Sequence, residues 1–311
     1  MYPKDYLQII YKICEKHNIS IREFNNTSVL RLIYNNEQHF IWSRRFDLNS
    51  AISSRLADNK YEMFKVLYSC GIPVVSCDKL FRVGTEEYTN NYDSNFHICE
   101  KFLKQHKTIV IKPNNSYEGK NVFKCTSLKE IETSLRTLDC SHKFMVVSPY
   151  IEAVNEYRTI FLCGTILLAY KKEIPYVVAD GKSTLLALLA TQSYNFDNID
   201  RNLYQRLNKI YPAGQKIPLN WKFNLTQGAR CQIVDEPNLY SKLSLIATAA
   251  ANAIGISFAS VDILEDTDGE LNVLEINAGV AMDQFIQQVP SGRKIATGIY
   301  EKAILAMFHI K

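Results

Sequence analysis

Apolar residues recur at helical spacing in some segments and at strand spacing in others, so the chain is predicted to mix helices and strands. Residues 4–17 are predicted to form a helix, because their apolar side chains fall on one stripe. Residues 28–33 and 38–42 are predicted to be strands of a hairpin around Asn35-Asn36, a pair typical of tight turns.

Two further helices are predicted from both end signals and apolar content. In residues 58–70, Asn59 and Glu62 have the spacing of a capping box, and Gly71 stands where a left-handed cap would end the helix. Residues 238–254 are predicted to form a long helix rich in alanine.

The middle of the chain is predicted to be rich in strands, with a polar surface loop over residues 84–97 before them. The predicted strands cover residues 108–112, 121–124, 143–148, 156–162 and 165–170. The stretch between the first two, residues 113–120, is predicted to be a loop because it combines Pro, Asn, Ser and Gly.

The most informative segment contains two apolar runs, at 258–264 and 271–277, on either side of an Asp-Gly pair at 268–269. Asp-Gly is a strong signal for a two-residue hairpin turn. With that turn, Asp262 is predicted to lie directly opposite Glu275. The hairpin therefore brings two carboxylates together.

Asn277 falls on the same predicted face of the hairpin as the two carboxylates, since side chains alternate along a strand. The apolar residues Val261, Ile263, Leu274 and Ile276 are predicted to pack on the opposite face. Like charges directly opposite one another destabilise a sheet, so a cation is expected between them. Oxygen ligands of this kind suit Mg²⁺ or Mn²⁺ together with substrate phosphates. A solvent-exposed polar face is the alternative.

Composition limits the classes of protein to which the chain can belong. It has 311 residues, of which 47% are hydrophobic and 22% charged, so it is predicted to be globular rather than disordered. Neither a membrane span nor a signal peptide is predicted, and the expected location is the cytoplasm. The eight cysteines include no CxxC pair, and the formal charge of +4 is too small to indicate nucleic acid.

A magnesium site of this type requires a nucleotide, although no familiar phosphate-binding motif is present. Lys112, at the end of a predicted strand, and the loop 113–120 after it form the alternative candidate. The lysine would offer a fixed charge and the loop its backbone N–H groups. An ordinary edge-strand lysine is the other interpretation.

Taken together, these segments resemble the ATP-grasp superfamily over roughly residues 56–308. The matching motifs are Asn59-Lys60, Ile-Val-Ile-Lys112-Pro, Ser148-Pro-Tyr-Ile151, Glu156-Tyr-Arg158, Ser-Val-Asp262 and Leu-Glu275-Ile-Asn277. Residues 176–183 and 224–228 are similar to the branch that contains cyanophycin synthetases and bifunctional glutathione synthetases. That branch couples a carboxylate to an amine.

The resemblance implies an α+β fold in which two α+β lobes grip a nucleotide. It implies a short N-terminal α/β region over 1–55, a first lobe over 56–150, and a second lobe over 151–311 with the metal and substrate sites. The N-terminal region is short, which leaves room for a homodimer or a partner chain to complete the site.

The resemblance also implies a role for each matching residue. Lys60 and Lys112 would bind ATP phosphates, and the loop with Asn114, Ser116 and Gly119 would close over them. The adenine would meet the backbone of Ser148, Pro149, Tyr150 and Ile151, and Glu156 would bind the ribose. Asp262, Glu275 and Asn277 would hold Mg²⁺ or Mn²⁺. Arg158, Lys222 and Arg230 are candidates for binding the acyl phosphate or the donor carboxylate, with surface charges as the alternative.

The predicted activity is an ATP-dependent carboxylate–amine ligase that acts through an acyl phosphate. Its predicted substrates are small amino acids or peptides. One alternative is a small-molecule kinase on the same scaffold, which the excess of basic residues over 155–235 would suit. A nucleotide-binding module without catalysis is the other alternative, but Asp262 and Glu275 are both present.

Overall fold

The structure, a computed structural model, describes residues 4–85, 94–116, 119–191 and 201–310. The helices are Lys4–Lys16, Ala51–Asp58, Lys60–Ser69, Asn95–His106, Leu128–Asp139, Leu185–Thr191, Arg201–Arg206, Pro237–Ala253, Asp283–Gln288 and Gly292–Met307, with a 3₁₀ turn at Leu225–Gln227. Within those ranges, we find no helix with both the length and the apolar character that a bilayer crossing requires.

The strands form three larger antiparallel sheets and one small sheet. They are β1 Ser20–Phe24, β2 Val29–Tyr34, β3 Glu37–Trp42, β4 Arg45–Phe46, β5 Asp78–Phe81, β6 Ile109–Pro113, β7 Phe123–Cys125, β8 Phe144–Pro149, β9 Ala153–Leu162, β10 Thr165–Glu173, β11 Tyr176–Val178, β12 Lys216–Pro218, β13 Arg230–Ile233, β14 Phe258–Asp266 and β15 Leu271–Asn277. The sheet orders are β1-β2-β3-β4, β5-β8-β6-β7, β13-β10-β9-β14-β15 and β11-β12.

The five-stranded sheet is covered on both faces, and its two faces pack in two different cores. One face packs against the first helix, the inner side of the β1–β4 sheet and the C-terminal helix. There, Tyr6 meets Tyr300 edge to face, with ring centroids 5.2 Å apart. The other face packs against the helices Lys60–Ser69 and Pro237–Ala253 through residues such as Leu67 and Ala247.

Alternation along β9, β10 and β14 decides which side chains reach the site. On one face of these strands, Ile160, Leu168 and Phe258 pack in the core with the N-terminal region. Further along the strands the same face carries the charged residues Glu156, Arg158, Lys172 and Asp262. One sheet face is therefore apolar at one end and charged at the other.

Local end signals predicted several elements correctly. The first helix and the hairpin are confirmed, with positive φ at both Asn35 and Asn36 as a tight turn requires. The Asn59 side chain accepts from the Glu62 backbone N–H, and Gly71 has a φ of +70°. The alanine-rich helix is present as Pro237–Ala253.

Other elements differ from the sequence-based prediction. Helix Ala51–Asp58 was not predicted, and neither was β1. Residues 95–97 of the predicted surface loop open a helix instead, because Ser94 caps it by accepting from the His97 N–H. Residues 86–93 of that loop, and residues 117 and 118 of the loop after Lys112, lie outside the described residues.

The hairpin of β14 and β15 has a longer turn than predicted. The Asp266 N–H donates to Glu270 O, and Gly269 has a φ of +81°. Near this turn Ile263 pairs with Val273 rather than with Leu274. A bulge at Leu274 then restores the register, so that Asp262 does lie opposite Glu275. Leu274 itself lines a cleft, which contradicts its prediction as a core residue, and Val273 takes the core position.

Two glycines of the C-terminal helix should respond oppositely to alanine. A Cβ on Gly292 would lie 2.6 Å from the backbone oxygen of Phe285, whereas a Cβ on Gly298 would meet no atom within 4 Å. We expect Gly292→Ala to lower the free energy of unfolding by about 1–3 kcal/mol. Gly298→Ala should raise it by about 0.5–1 kcal/mol. Urea unfolding measures both, and equal stabilities would contradict the proposed clash.

Candidate active site

A cleft of about 210 Å³ lies between the β5-β8-β6-β7 sheet and the five-stranded sheet. Its walls come from strands of both sheets and from the segment 221–225. The predicted site residues that line it are Lys60, Lys112, Ser116, Gly119, Ser148, Pro149, Tyr150, Ile151, Glu156, Arg158, Lys222, Asp262 and Glu275. The fold thus brings together residues that are more than two hundred positions apart in the sequence.

The charged end of the five-stranded sheet forms one continuous row of ion pairs. Lys172 Nζ lies 2.5 Å from Glu156 Oε1 and 3.0 Å from Asp262 Oδ1. Arg158 donates two hydrogen bonds to the same aspartate. Its Nε donates to Oδ1 at 2.7 Å, and an amino nitrogen donates to Oδ2 at 2.5 Å. Lys172 and Asp262 are only 3% and 2% exposed, so this row is held away from water.

Burial and charge act against each other in this row. Burial alone would raise the pKa of Asp262, but the Arg158 guanidinium and the Lys172 ammonium hold it far below its ordinary value. Burial raises the pKa of Glu156 to about 7, against the opposing effect of Lys172. Burial and Arg158 disfavour the charge on Lys172, yet the Asp262 and Glu156 carboxylates raise its pKa above the ordinary value.

Glu275 and Asn277 complete the oxygen donor set predicted for a metal. Glu275 faces Asp262 across the β14–β15 pair, and the Asn277 amide donates to Glu275 Oε1 at 3.2 Å. Lys60 Nζ lies 3.7 Å from the other oxygen of Glu275. Two carboxylates and one carboxamide are the donor types that Mg²⁺ or Mn²⁺ takes, so these residues fit such an ion. Among the described residues, no group of three or more His, Cys, Asp and Glu is placed to hold a metal.

The opposite wall of the cleft supplies lysines and backbone groups. Lys60 Nζ donates to Ser116 O at 2.9 Å, and Lys222 Nζ donates to Gly119 O at 3.2 Å. Both lysines therefore hold the loop after Lys112. Burial, and then the nearby Lys60 ammonium, lower the pKa of Lys112.

The charges that line the cleft do not balance. Among its described lining residues, the cations are Lys60, Lys112, Arg158, Lys172 and Lys222, and the carboxylates are Glu156, Asp262 and Glu275. Five cations against three carboxylates give a formal charge of +2. A partly buried cavity with this excess favours an anion.

The remaining wall is apolar and lies beside the end of β8. Val75, Val110, Leu264 and Leu274 line the cleft together with Pro149, Tyr150 and Ile151. The Tyr150 ring meets Trp221 edge to face at 5.6 Å between centroids. An apolar slot of this kind suits a heterocyclic ligand, and the resemblance implies adenine at this segment.

Three predicted site residues do not line the cleft. Asn277 lies next to it and contacts it only through Glu275, whereas Asn114 and Arg230 lie elsewhere. Asn114 is fully buried and does not line the cleft. Its side-chain oxygen accepts from the Tyr61 N–H at 3.1 Å, which attaches the loop after Lys112 to helix Lys60–Ser69. Arg230 lies on another surface, where its guanidinium stacks on the Tyr176 ring at 4.4 Å and donates to the Tyr176 hydroxyl. It sits on β13, at the edge of the five-stranded sheet.

Lys172, Leu274 and Trp221 line the cleft but were not predicted from the sequence. A signal for Lys172 did exist, because it pairs with Glu156 in the β9–β10 hairpin around Cys163-Gly164. A regular hairpin register, extended from that turn, does not pair Lys172 with Glu156. The two residues are opposite one another only because of the bulge between Ile166 and Leu168. Leu274 faces the cleft because of a bulge too, and neither bulge has a sequence signal.

Sequence comparison finds curated relatives, although no protein-family model matches the chain. A tetrahydromethanopterin:alpha-L-glutamate ligase from Methanocaldococcus jannaschii is 26% identical over 235 residues, which cover 67% of this chain and 70% of that protein. A ligase of the same name from Methanococcus maripaludis is 32% identical over 117 residues, which cover 32% of this chain and 38% of that protein.

Structural comparison extends over nearly the whole chain. A bifunctional glutathione synthetase from Pasteurella multocida superposes with a TM-score of 0.58 at 16% identity, covering 96% of this chain and 44% of that one. A D-alanine–D-alanine ligase from Bacillus anthracis superposes with a TM-score of 0.57 at 17% identity, covering 84% of this chain and 69% of that one.

The chain has the ATP-grasp fold. The predicted α+β fold class is therefore confirmed, and the predicted resemblance to ATP-grasp proteins is confirmed at the level of the fold. The chain spans less than half of the glutathione synthetase that it matches. The relatives and solved structures named above are ligases, and none of them supports the kinase alternative.

Within this ATP-grasp fold, removing Lys172 should destabilise the protein strongly. Lys172→Met leaves Glu156 without its cation, and breaking a buried pair on one side costs about 3–5 kcal/mol in the free energy of unfolding. The double variant Lys172→Met/Glu156→Gln should recover part of that loss. Urea unfolding of the single and double variants measures the coupling.

Lys171→Met is the matched control, since Lys171 is the neighbouring residue on the same strand. Its side chain is a third exposed, and its ammonium lies 4.0 Å from Glu173 Oε1. It should change stability by no more than about 1 kcal/mol, as is usual for exposed ion pairs. Equal stabilities for Lys172→Met and Lys171→Met would show that the buried row does not stabilise the fold.

Proposed function

We propose that this chain is an ATP-dependent carboxylate–amine ligase that forms an amide bond through an acyl phosphate. The observation that supports this most is the cleft between the two sheets. It combines a cationic wall that would suit phosphates, an apolar slot, and oxygen donors that would suit a divalent cation.

ATP would lie along the cleft with its base beside Tyr150 and Ile151. A solved structure of the Bacillus anthracis D-alanine–D-alanine ligase complexed with ATP has the same fold as this chain, with a TM-score of 0.53 at 18% identity. Lys60, Lys112 and Lys222 would offset the charge of the phosphates, since all three line one wall. Glu156, which also lines the cleft, would accept hydrogen bonds from the ribose hydroxyls.

The divalent cation would be held by Asp262, Glu275 and Asn277. When bound, it supplies charge compensation to the phosphoryl group in transfer. Arg158 and Lys172 fix Asp262 before any ion arrives, since both already bond it. The protein's own contribution is thus a carboxylate held in one orientation by buried Lys172 and partly buried Arg158.

The reaction needs no side-chain nucleophile. A carboxylate oxygen of the donor attacks the γ-phosphorus of ATP, the bond to the bridging oxygen breaks, and ADP leaves with the acyl phosphate formed. The amine then attacks the acyl carbon, loses a proton, and expels inorganic phosphate. Lys222 would offset the charge of the acyl phosphate, since its ammonium donates to Gly119 O in the loop that would cover the phosphates.

One of the two substrates is proposed to be an amino acid. The curated relatives act on an α-L-glutamate by their names, and that chemistry supplies either an amine or a carboxylate. The sequence departs from the D-alanine ligases at Ser260, where that family carries an arginine. A panel of amino acids that includes L-glutamate, screened for ADP release, would identify the substrate.

The proposed metal role predicts that Glu275→Gln abolishes Mg²⁺-dependent ATP turnover. The amide keeps the shape of the side chain and removes one charge from the donor set. Glu270→Gln in the same hairpin is the matched control and should turn over at the wild-type rate, since Glu270 is exposed beyond the cleft. ADP release against Mg²⁺ concentration measures both. Wild-type turnover by Glu275→Gln would exclude Glu275 as a metal ligand.

The acyl-phosphate mechanism predicts where a carboxylate oxygen goes. With an ¹⁸O-labelled carboxylate substrate, one labelled oxygen should appear in the released phosphate, because the attacking oxygen stays with phosphorus. Mass spectrometry of the phosphate measures it. A stoichiometric phosphorylated product with ADP and no free phosphate would instead identify a kinase and overturn the proposed ligase activity.

A further inference from the structure

The outward face of the N-terminal sheet presents aromatic rings to solvent. β1, β2 and β3 turn three cross-strand rows outward, because side chains alternate and the pairing register is continuous. The rows are Ser20-Ile33-Gln38, Arg22-Arg31-Phe40 and Phe24-Val29-Trp42. We call these nine residues the outer sheet face. The opposite side chains, such as Leu30 and Ile41, are in the core.

Three aromatic rings of the outer sheet face are exposed. Trp42 is 66% exposed, Phe40 40% and Phe24 38%, and all three belong to two adjacent rows. Val29 lies between Phe24 and Trp42 in the same row. Scattered apolar residues on a surface are ordinary, but a contiguous patch with three aromatic rings is typical of an interaction site.

The charge of the face is uncompensated. Arg22 and Arg31 are direct cross-strand neighbours, an arrangement that costs stability because like charges repel. The Nε of Arg31 is buried and has no hydrogen-bond partner among the described residues. Arg22 rests over the Phe24 ring at 5.2 Å. None of the nine residues carries a carboxylate, so the face has a formal charge of +2.

We infer that the outer sheet face is a docking surface for an acidic polypeptide segment with apolar side chains. The aromatic rings take the apolar side chains, and the Arg22–Arg31 pair takes carboxylates, for which arginine is the preferred partner. The inference stands on the sheet alone and does not depend on the proposed ligase activity.

The charge distribution favours this occupant over the others. A second copy would bring the same two arginines and no carboxylate, so a symmetric contact would concentrate positive charge. A single-stranded nucleic acid would stack on the rings, but two arginines neutralise few phosphates. An acidic polypeptide matches both the rings and the charge.

Fluorescence anisotropy of the full chain without ATP tests the inference. The probe is a short fluorescein-labelled peptide of Glu, Leu and Phe, compared with its counterpart in which Lys replaces Glu. We expect the acidic peptide to bind at least tenfold more tightly than the basic one. Trp42→Ser and Arg31→Glu should each weaken acidic-peptide binding about tenfold or more. Arg31→Glu should also strengthen binding of the basic peptide.

Leu245→Ser is the matched control, because Leu245 is 71% exposed on helix Pro237–Ala253, away from the sheet. It should leave peptide binding unchanged. Equal affinity of the wild type for both peptides, or no effect of Trp42→Ser and Arg31→Glu, would overturn the inference. So would tighter, Trp42-dependent binding of oligothymidylate or anionic vesicles, or sedimentation as a dimer that Trp42→Ser converts to a monomer.

Discussion

The buried row of charges on the five-stranded sheet is the constraint on which the site depends. Removing ions from water is costly, and such a row persists only if every member has a partner. Glu156, Lys172, Asp262 and Arg158 meet this condition, since each bonds at least one oppositely charged neighbour. These residues come from three adjacent strands, so the sheet's pairing must be correct before any of them is satisfied. The site therefore forms only when β9, β10 and β14 pair in the correct register.

One face of the five-stranded sheet has an apolar end that stabilises the fold and a charged end that lines the cleft. At the apolar end, β9, β10 and β14 bury Ile160, Leu168 and Phe258 against the N-terminal region. Hydrophobic burial there stabilises the strands that the charged end requires. The N-terminal sheet and the C-terminal helix thus support the cleft without lining it. This arrangement explains why residues 4–46, with no predicted site residue, pack closely against strands that carry Glu156, Arg158 and Asp262.

Local signals in the sequence predicted several helices and strands. Which side chains meet at the site depends on pairing between strands that are distant in the sequence. Capping at Asn59 and the turn at Asn35-Asn36 are encoded within a few residues, so they were predicted correctly. The prediction that Asp262 lies opposite Glu275 was also correct. The predicted turn was too short, but the bulge at Leu274 shifts the register back by one residue. Lys172 escaped prediction because its neighbours come from other strands and a bulge shifts the register toward it. Family resemblance supplied the roles that no local pattern contains.

The bulge at Leu274 also has a cause outside the hairpin. The main chain of Val273 bonds the segment after helix Lys60–Ser69, with its N–H donating to Pro73 O at 2.9 Å and its oxygen accepting from the Val75 N–H at 3.0 Å. β15 is thereby paired on both sides at Val273, which fixes this residue in the core while the extra residue turns Leu274 into the cleft. The same segment follows the helix that begins at Lys60, whose ammonium lies 3.7 Å from a Glu275 oxygen. The register of β15 thus depends on a contact from outside the hairpin, which β14 and β15 do not encode by themselves.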